Sequence, residues 1–395
     1  MKQLLVDNSS WAVRIALLHD KKLKEIFIDH KDGGSIVGDI INGIVKNIMT
    51  SRFAFIDIGQ EKNAFMNLAD NNHSHNNLKQ GDYIPVQVRK DATGSKGANV
   101  SSILQLKGRL AIIYPSASRE IGISSKISDP NERKRLNKIA AKVLPNGYSC
   151  ILRTQCSGAS DEQLDMECHQ LIAEHDKIVN TAKNSIAPRT LHKDKFLQSF
   201  MFNDLLTDDI DEIILNDEES YAEIRGVCLA NTKLWKDDEK LFDAYDVERQ
   251  IIEALHRNVW LPCGGFITFD YVEACVVIDV NTGKFPGKKN YRETILKVNM
   301  EAAQCIADQI TLRNLSGMII IDFIDMTSEA DKNTLLTAFG HKLKKGRISA
   351  DIIDTTRLGL VQLTRRKQRE PLHKLLQDIC PHCNGTGRMT DNKRR

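Results

Sequence analysis

Residues 318–326 read MIIIDFIDM, and residues 274–280 read ACVVIDV. Each is a short apolar run that arrives at an aspartate, Asp322 in the first and Asp279 in the second. β-branched residues dominate both runs, and runs of this length predict buried strands. Between them, residues 291–314 place Ile295, Val298, Ala302, Ile306 and Ile310 on one helical face. Strand, helix and strand in this order predict parallel neighbours joined by a right-handed crossover. The two aspartates would then converge at the C-terminal ends of the strands. In open α/β sheets that edge is where ligands bind.

Carboxylates placed side by side repel each other unless a proton or a cation offsets the charge. Hard oxygen ligands at a strand edge suit Mg²⁺. Asn281, two residues past Asp279, adds a neutral oxygen on the same side of the chain. A Mg²⁺ so placed would activate a water and stabilise charge on a phosphate. Asp325 and Asp270 are candidates for outer groups around it. The bland alternative is that each aspartate merely ends a strand or caps a helix. Asp325, just ahead of MTSE, fits such a cap.

The rest of the chain is organised around this unit. Its 395 residues suggest two or three domains. Apolar residues make up 41% and charged residues 27%, ordinary values for a globular protein. The formal charge of +3 is too small to point to nucleic acid by itself, so any basic surface is local. No signal peptide opens the sequence and no run is long enough to span a membrane. The first 30 residues read as strands. NGIVKNI (42–48), FAFIDIG (53–59), NAFMNL (63–68) and YIPVQVRKD (83–91) have the spacing of a small all-β barrel. Residues 70–80 are polar and predict a surface loop. LAIIYP (110–115), YSCILRT (148–154) and DEIILND (211–217) predict strands, while the stretch from Asp129 and residues 161–184 predict helices.

Of nine cysteines, seven are scattered and only Cys380 and Cys383 form a tight pair. That is no disulfide framework, and it fits a reducing cytosol. CPHCNGTG (380–387) is a knuckle whose thiolates and free N–H groups suit Zn²⁺. One chain supplies two thiolates, whereas tetrahedral zinc takes four ligands. Either His382 or His373 joins a mixed site, or a second copy of the chain supplies the missing pair and the metal clasps a dimer. Two unligated cysteines in a tail are the bland alternative.

The motifs at 261–285, 299–326, 357–367 and 380–387 resemble those of the ribonuclease E/G family, and VNTGKF (280–285) is similar to its ribonuclease G branch. The resemblance implies a Mg²⁺-dependent endoribonuclease acting on single-stranded RNA, such as ribosomal RNA precursors or messenger RNA. Asp279 and Asp322 match the family's Mg²⁺ ligands, and Asn281 matches the residue that orients the first of them. In-line attack by water would leave a 5′-phosphate and a 3′-hydroxyl. Cys380 and Cys383 match a pair that shares zinc between two subunits. Phe55, Phe65 and Lys96 match the RNA contacts of an S1-type OB-fold. Exposed aromatics beside basic residues make a stacking platform for single strands, although pattern alone favours placing both phenylalanines in the barrel core. Gly108, Ile112, Arg153 and Thr154 match a pocket for a 5′-monophosphate, and a guanidinium fork with a hydroxyl suits that dianion. Gln155 and Cys156 depart from the family there.

The fold expected by resemblance is multidomain α/β and β. An inert RNase H-like scaffold is divided between 1–35 and 200–254. An OB-fold lies at 36–103, a 5′-sensor at 104–199 and a DNase I-like catalytic domain at 255–378, with a zinc link and tail at 379–395. The sequence ends at Arg395 without the small tetramerisation domain usual in the family, so a cytoplasmic homodimer is expected. The rival expectations are a non-catalytic RNA-binding protein of the same fold and an assembly factor whose metals serve only stability.

Overall fold

The computed structural model describes residues 1–31, 35–49, 52–70, 78–92, 96–194, 205, 210–225, 231–283, 291–344, 347–367, 369–383 and 385–387. The polar stretch expected at 70–80 lies largely outside them, as do Lys284 and Phe285 of VNTGKF.

Three strands open the chain as an antiparallel meander: β1 (Lys2–Asn8), β2 (Ala12–His19) and β3 (Lys22–His30). A second sheet follows, with β4 (Ile40–Met49), β5 (Phe53–Asp57), β6 (Ala64–Asn67), β7 (Tyr83–Lys90) and β8 (Asn99–Ser101). The pairings β4–β5, β5–β6, β6–β8, β8–β7 and β7–β4 close it into a five-stranded barrel of the kind expected for an S1/OB-type domain. Val45, Ala54, Ile56, Ala64, Met66, Val86 and Val100 fill its interior.

The third unit has four short strands, β9 (Leu106–Lys107), β10 (Ala111–Pro115), β11 (Ile121–Ile123) and β12 (Tyr148–Leu152), ordered β11-β12-β10-β9. Two helices pack on it, α1 (Pro130–Val143) and α2 (Asp161–Lys183). Asp129 caps α1 ahead of its first-turn proline, and Ser160 with Gln163 forms a capping box on α2. β13 (Arg189–His192) then returns to pair with β4.

The chain next rejoins the first sheet. β14 (Glu212–Leu215) lies parallel to β1, and the Gln3 amide donates to Glu212 across the pair at 2.8 Å. Helix α3 (Glu218–Arg225) leads to β15 (Asn231–Leu234), parallel to β14. The sheet order is therefore β15-β14-β1-β2-β3. Helices α4 (Leu241–Ala244) and α5 (Val247–Leu255) cover one face of it with Leu241, Phe242, Val247 and Ile251.

The last sheet contains β16 (Asn258–Trp260), β17 (Phe266–Tyr271), β18 (Cys275–Asn281), β19 (Gly317–Asp322), β20 (Ala350–Thr355) and β21 (Val361–Arg365). Its order is β16-β17-β18-β19-β21-β20, and only the β18–β19 pair is parallel. Helix α6 (Tyr291–Leu312) connects those two strands, and α7 (Glu329–Leu343) follows β19. The helical face read from the sequence is the one buried: Val298, Ala302 and Ile306 are wholly inaccessible. Burying each large aliphatic side chain contributes about 1.5–3 kcal/mol. The helices lie on one face, against Ile267, Phe269, Ile278, Ile319 and Ile321; on the opposite, open face Asp279, Met318 and Asp322 are exposed among the described residues. Helix α8 (Leu372–Leu376) sends Leu372 and Leu376 back to the core of the first sheet. Among the described residues no helix is long and apolar enough to cross a membrane.

Candidate active site

Asp279 and Asp322 are register partners at the ends of the parallel strands β18 and β19. Neighbouring strands lie about 4.8 Å apart, so partners in register put their side chains together on one face. Alternation sends Ile278, Val280, Ile319 and Ile321 into the core and leaves both aspartates exposed on the open face. Asn281 follows on that face, and its Nδ2 donates to Asp279 Oδ2 at 2.7 Å. The Asp322 carboxyl is pushed above the usual carboxylate range, first by burial and then by the charges of Asp279 and Asp325. Among the described residues no cationic side chain forms an ion pair with any of these three aspartates.

This donor set fits Mg²⁺. Mg²⁺ keeps several waters and takes one or two carboxylates together with substrate phosphates. Two carboxylates paired in register, with no ion-paired cation among the described residues, meet that requirement. A larger protein cage is not formed: among the described residues no three Asp, Glu, His or Cys side chains gather for a metal. Asp279 and Asp322 would therefore hold the ion, with Asn281 steadying the first.

Two expectations about the outer groups need correction. Asp270 forms a bidentate ion pair with Arg257 at 2.6 and 2.8 Å, and this pairing holds its carboxyl below the usual range. It lies opposite Val277, so Thr268 is the β17 residue level with Asp279. Asp325 caps no helix. Ser328 is the N-cap of α7, and its hydroxyl accepts from Asp331 N. Asp325 instead adds to the negative field on Asp322.

The sequence reading missed Asn299. This α6 residue is wholly buried, and its Nδ2 donates to Ile324 O at 2.8 Å while Ile324 N donates to its Oδ1 at 3.1 Å. The side-chain amide thus imitates a strand and pins the segment just past Asp322. Asn299→Ala should cost about 2 kcal/mol or more in denaturant unfolding, because two backbone groups lose their partners. It should also raise the Mg²⁺ concentration needed for half-maximal activity. The signal was a lone asparagine on the apolar face of α6, four residues after Ile295 and three before Ala302.

On the barrel, the expectation that Phe55 and Phe65 lie in the core is overturned. Ala54, Ile56, Ala64 and Met66 point inward, and Phe55 and Phe65 lie opposite one another on the outer surface, half-exposed. Their rings meet edge to face at 6.1 Å, and Phe53 joins them at 5.2 Å from Phe65. Lys96 is exposed, and the chain after it runs along β6, where Ala98 O accepts from Phe65 N at 2.7 Å. Gly97 fits because a Cβ there would lie 2.1 Å from the Asn63 carbonyl oxygen.

In the third unit Arg153 and Gly108 come together, with Arg153 Nη1 donating to Gly108 O at 2.8 Å. A Cβ at Gly108 would strike Glu167 Oε1, which accepts from Leu110 N and Ala111 N at 2.6 and 3.0 Å. Ile112 is partly exposed in β10, and the exposed Thr154 shares a hydrogen bond with Ser124 at 3.1 Å. Of the two departures at this site, Cys156 is fully buried in the core of the unit. Burial pushes its thiol up to about 11.

Cys380 and Cys383 face each other, and Gly387 N donates to Cys383 Sγ at 3.3 Å. Hydrogen bonds from Gly387 and Cys380 hold the Cys383 thiol below its ordinary range. That chemistry suits a zinc thiolate. The mixed site is not formed within one chain: His373 stacks on Tyr271 with centroids 4.0 Å apart, and no third ligand joins the pair among the described residues.

Comparison with known proteins bears on the family of the chain. The Ribonuclease E/G family matches residues 105–368. "Ribonuclease G" of Salmonella typhimurium (strain SL1344) is 32% identical over 98% of this chain and 84% of its own length. "Ribonuclease G" of Escherichia coli (strain K12) gives the same figures, 32%, 98% and 84%. "Ribonuclease E" of Synechocystis sp. (strain ATCC 27184 / PCC 6803 / Kazusa) is 32% identical over 91% of this chain and 56% of that longer protein. A family match over most of the chain and relatives aligned along nearly all of it lead to one conclusion: the chain belongs to the ribonuclease E/G family.

Proposed function

We propose that this protein is a Mg²⁺-dependent endoribonuclease that cleaves single-stranded RNA, ribosomal precursors or messengers, and leaves a 5′-phosphate and a 3′-hydroxyl. Membership of the ribonuclease E/G family indicates an endoribonuclease. The observation that carries the chemistry is the register pairing of Asp279 with Asp322, with Asn281 bonded to the first. When bound, Mg²⁺ supplies a Lewis acid for the phosphate and lowers the pKa of an attacking water. Asp279 and Asp322 would hold the ion, and the Asn281 amide, bonded to Asp279 Oδ2, would fix the orientation of that carboxylate. The open sheet face leaves room for an extended strand of RNA across the carboxylates.

Other parts of the chain support substrate capture. Phe55 and Phe65 give the barrel a half-exposed aromatic surface, and Lys96 is exposed just ahead of the segment that pairs with β6; rings and a cation on one barrel suit the stacking of single-stranded bases. Arg153 and Thr154 present a guanidinium and a hydroxyl for a 5′-monophosphate, with Gly108 and Ile112 shaping the pocket. The order β15-β14-β1-β2-β3 supports an RNase H-like scaffold assembled from two stretches of chain. The mixed sheet backed by α6 and α7 would be the DNase I-like catalytic domain. We place the protein in the cytoplasm.

Cys380 and Cys383 would share Zn²⁺ with the same pair from a second copy, giving a homodimer. Cys380→Ser with Cys383→Ser, or a strong chelator, should then shift sedimentation from dimer toward monomer. An unchanged dimer would remove the zinc clasp from the reading.

The test of specificity uses one unstructured RNA, alone and annealed to its complement, with Mg²⁺. Cleavage of the free strand and protection of the duplex is the expected result. Equal cleavage of both would contradict the single-strand assignment.

A further inference from the structure

The open face of the last sheet carries two adjacent rows. One runs Asn258, Thr268, Asp279, Asp322 across β16, β17, β18 and β19. The other runs Trp260, Phe266, Asn281 across β16, β17 and β18. Alternate residues of a strand share a face, so the rows lie about 6.6 Å apart. Trp260 and Phe266 are in ring contact, with centroids 5.2 Å apart and planes inclined at 52°. Phe266 belongs to the open face, because Ile267 and Phe269 beside it point into the core. Trp260 is 69% exposed at the edge of the sheet.

A single exposed apolar side chain needs no explanation. This pair differs by its place. It is the direct continuation of Asn281, whose amide holds Asp279. A phosphodiester lying over the carboxylates must send its neighbouring nucleotides along the open face. On the β16 side the first large surface they meet is Phe266 and then Trp260. An indole face stacks any nucleobase, whatever its sequence. Trp260 is well suited because it offers a large, rigid π-surface with few torsions to immobilise.

We infer that Trp260, backed by Phe266, is a stacking subsite for the nucleobase next to the scissile phosphate. The inference rests on the nuclease reading above. It assigns a positioning role at the sheet edge, separate from the barrel aromatics. A base held there fixes the register of the strand over Asp279 and Asp322.

The test uses a set of short RNAs, each with one abasic nucleotide at a successive position around the cleaved bond. With the wild type, one position beside that bond should lower kcat/KM by about 10- to 100-fold. With Trp260→Ala the intact RNA should lose activity by a similar factor, and the penalty at that position should vanish. Trp260→Phe should retain part of it. An abasic penalty of undiminished size in Trp260→Ala overturns the inference, as does full activity of Trp260→Ala on intact RNA. A second readout does not depend on cleavage. In Asp322→Asn protein, binding of an intact RNA should quench a fluorescence component that Trp260→Phe lacks. If the wild type cleaves nothing but that quench appears, the nuclease reading fails and the assignment of the stacked base to a scissile phosphate falls with it, while Trp260 stays an RNA contact. If cleavage occurs and the quench is unchanged by Trp260→Phe, the stacking site fails alone.

Discussion

Asp322→Asn is expected to remove cleavage, by about 10³-fold or more, and to leave the protein folded. A bound metal stabilises transition-state charge by several kcal/mol, and each 1.36 kcal/mol is tenfold in rate. The exchange keeps the shape of the side chain and deletes one of two ligands. Its effect on stability should have the opposite sign. The Asp322 carboxyl is harder to ionise in the folded protein, because of burial and the charges of Asp279 and Asp325. The folded state therefore binds more protons than the unfolded chain in the carboxylate range. Stability carried by this group falls as pH rises through that range and returns on acidification. In chelator at neutral pH, Asp322→Asn should melt no lower than the wild type. Mg²⁺ should raise the melting temperature of the wild type and do little for the variant. A variant that melts well below the wild type in chelator would mean that Asp322 is a structural residue.

Replacing Phe55 and Phe65 together by alanine should weaken capture of single-stranded RNA by about 10- to 100-fold for each base that loses its stack. Base–aromatic stacking contributes roughly 1–3 kcal/mol per base. The loss should appear in KM more than in kcat, because the rings bind the strand away from the reacting bond. Both side chains lie outside the barrel core, so thermal stability should change little. Ile56→Ala, one residue along and wholly buried, is the contrast: it should cost about 2–5 kcal/mol of stability. Lys96→Ala should lower the slope of affinity against salt by about one ion. If the double variant binds RNA as tightly as the wild type, the barrel face is not the platform.

Much of the fold around the carboxylates was legible because polarity and period agreed there. The runs before Asp279 and Asp322 are short and rich in β-branched residues, which marks strands, and the face of α6 showed at a helical period. Parallel pairing followed from the helix between them. The barrel strands were legible as strands, but not their facing. FAFI and NAFM are apolar on both sides, so alternation carried no sign, and only closure of the barrel shows that Ala54 and Ile56 fill it. Asp270 and Asp325 could not be sorted from sequence either. Arg257, thirteen residues from Asp270 along the chain, decides the first, and Ser328 decides the second. Asn299 and Trp260 meet their partners, Ile324 and Phe266, through tertiary pairing, and local pattern does not encode such pairs.

The most direct measurement is a Mg²⁺ titration of wild-type protein on one short, unstructured RNA, with both ends of every product mapped. Cleavage that needs Mg²⁺ and yields 5′-phosphate and 3′-hydroxyl ends is the predicted result. Tight binding of the RNA with no cleavage at any Mg²⁺ concentration would contradict it, and would make the protein a non-catalytic RNA-binding member of its family.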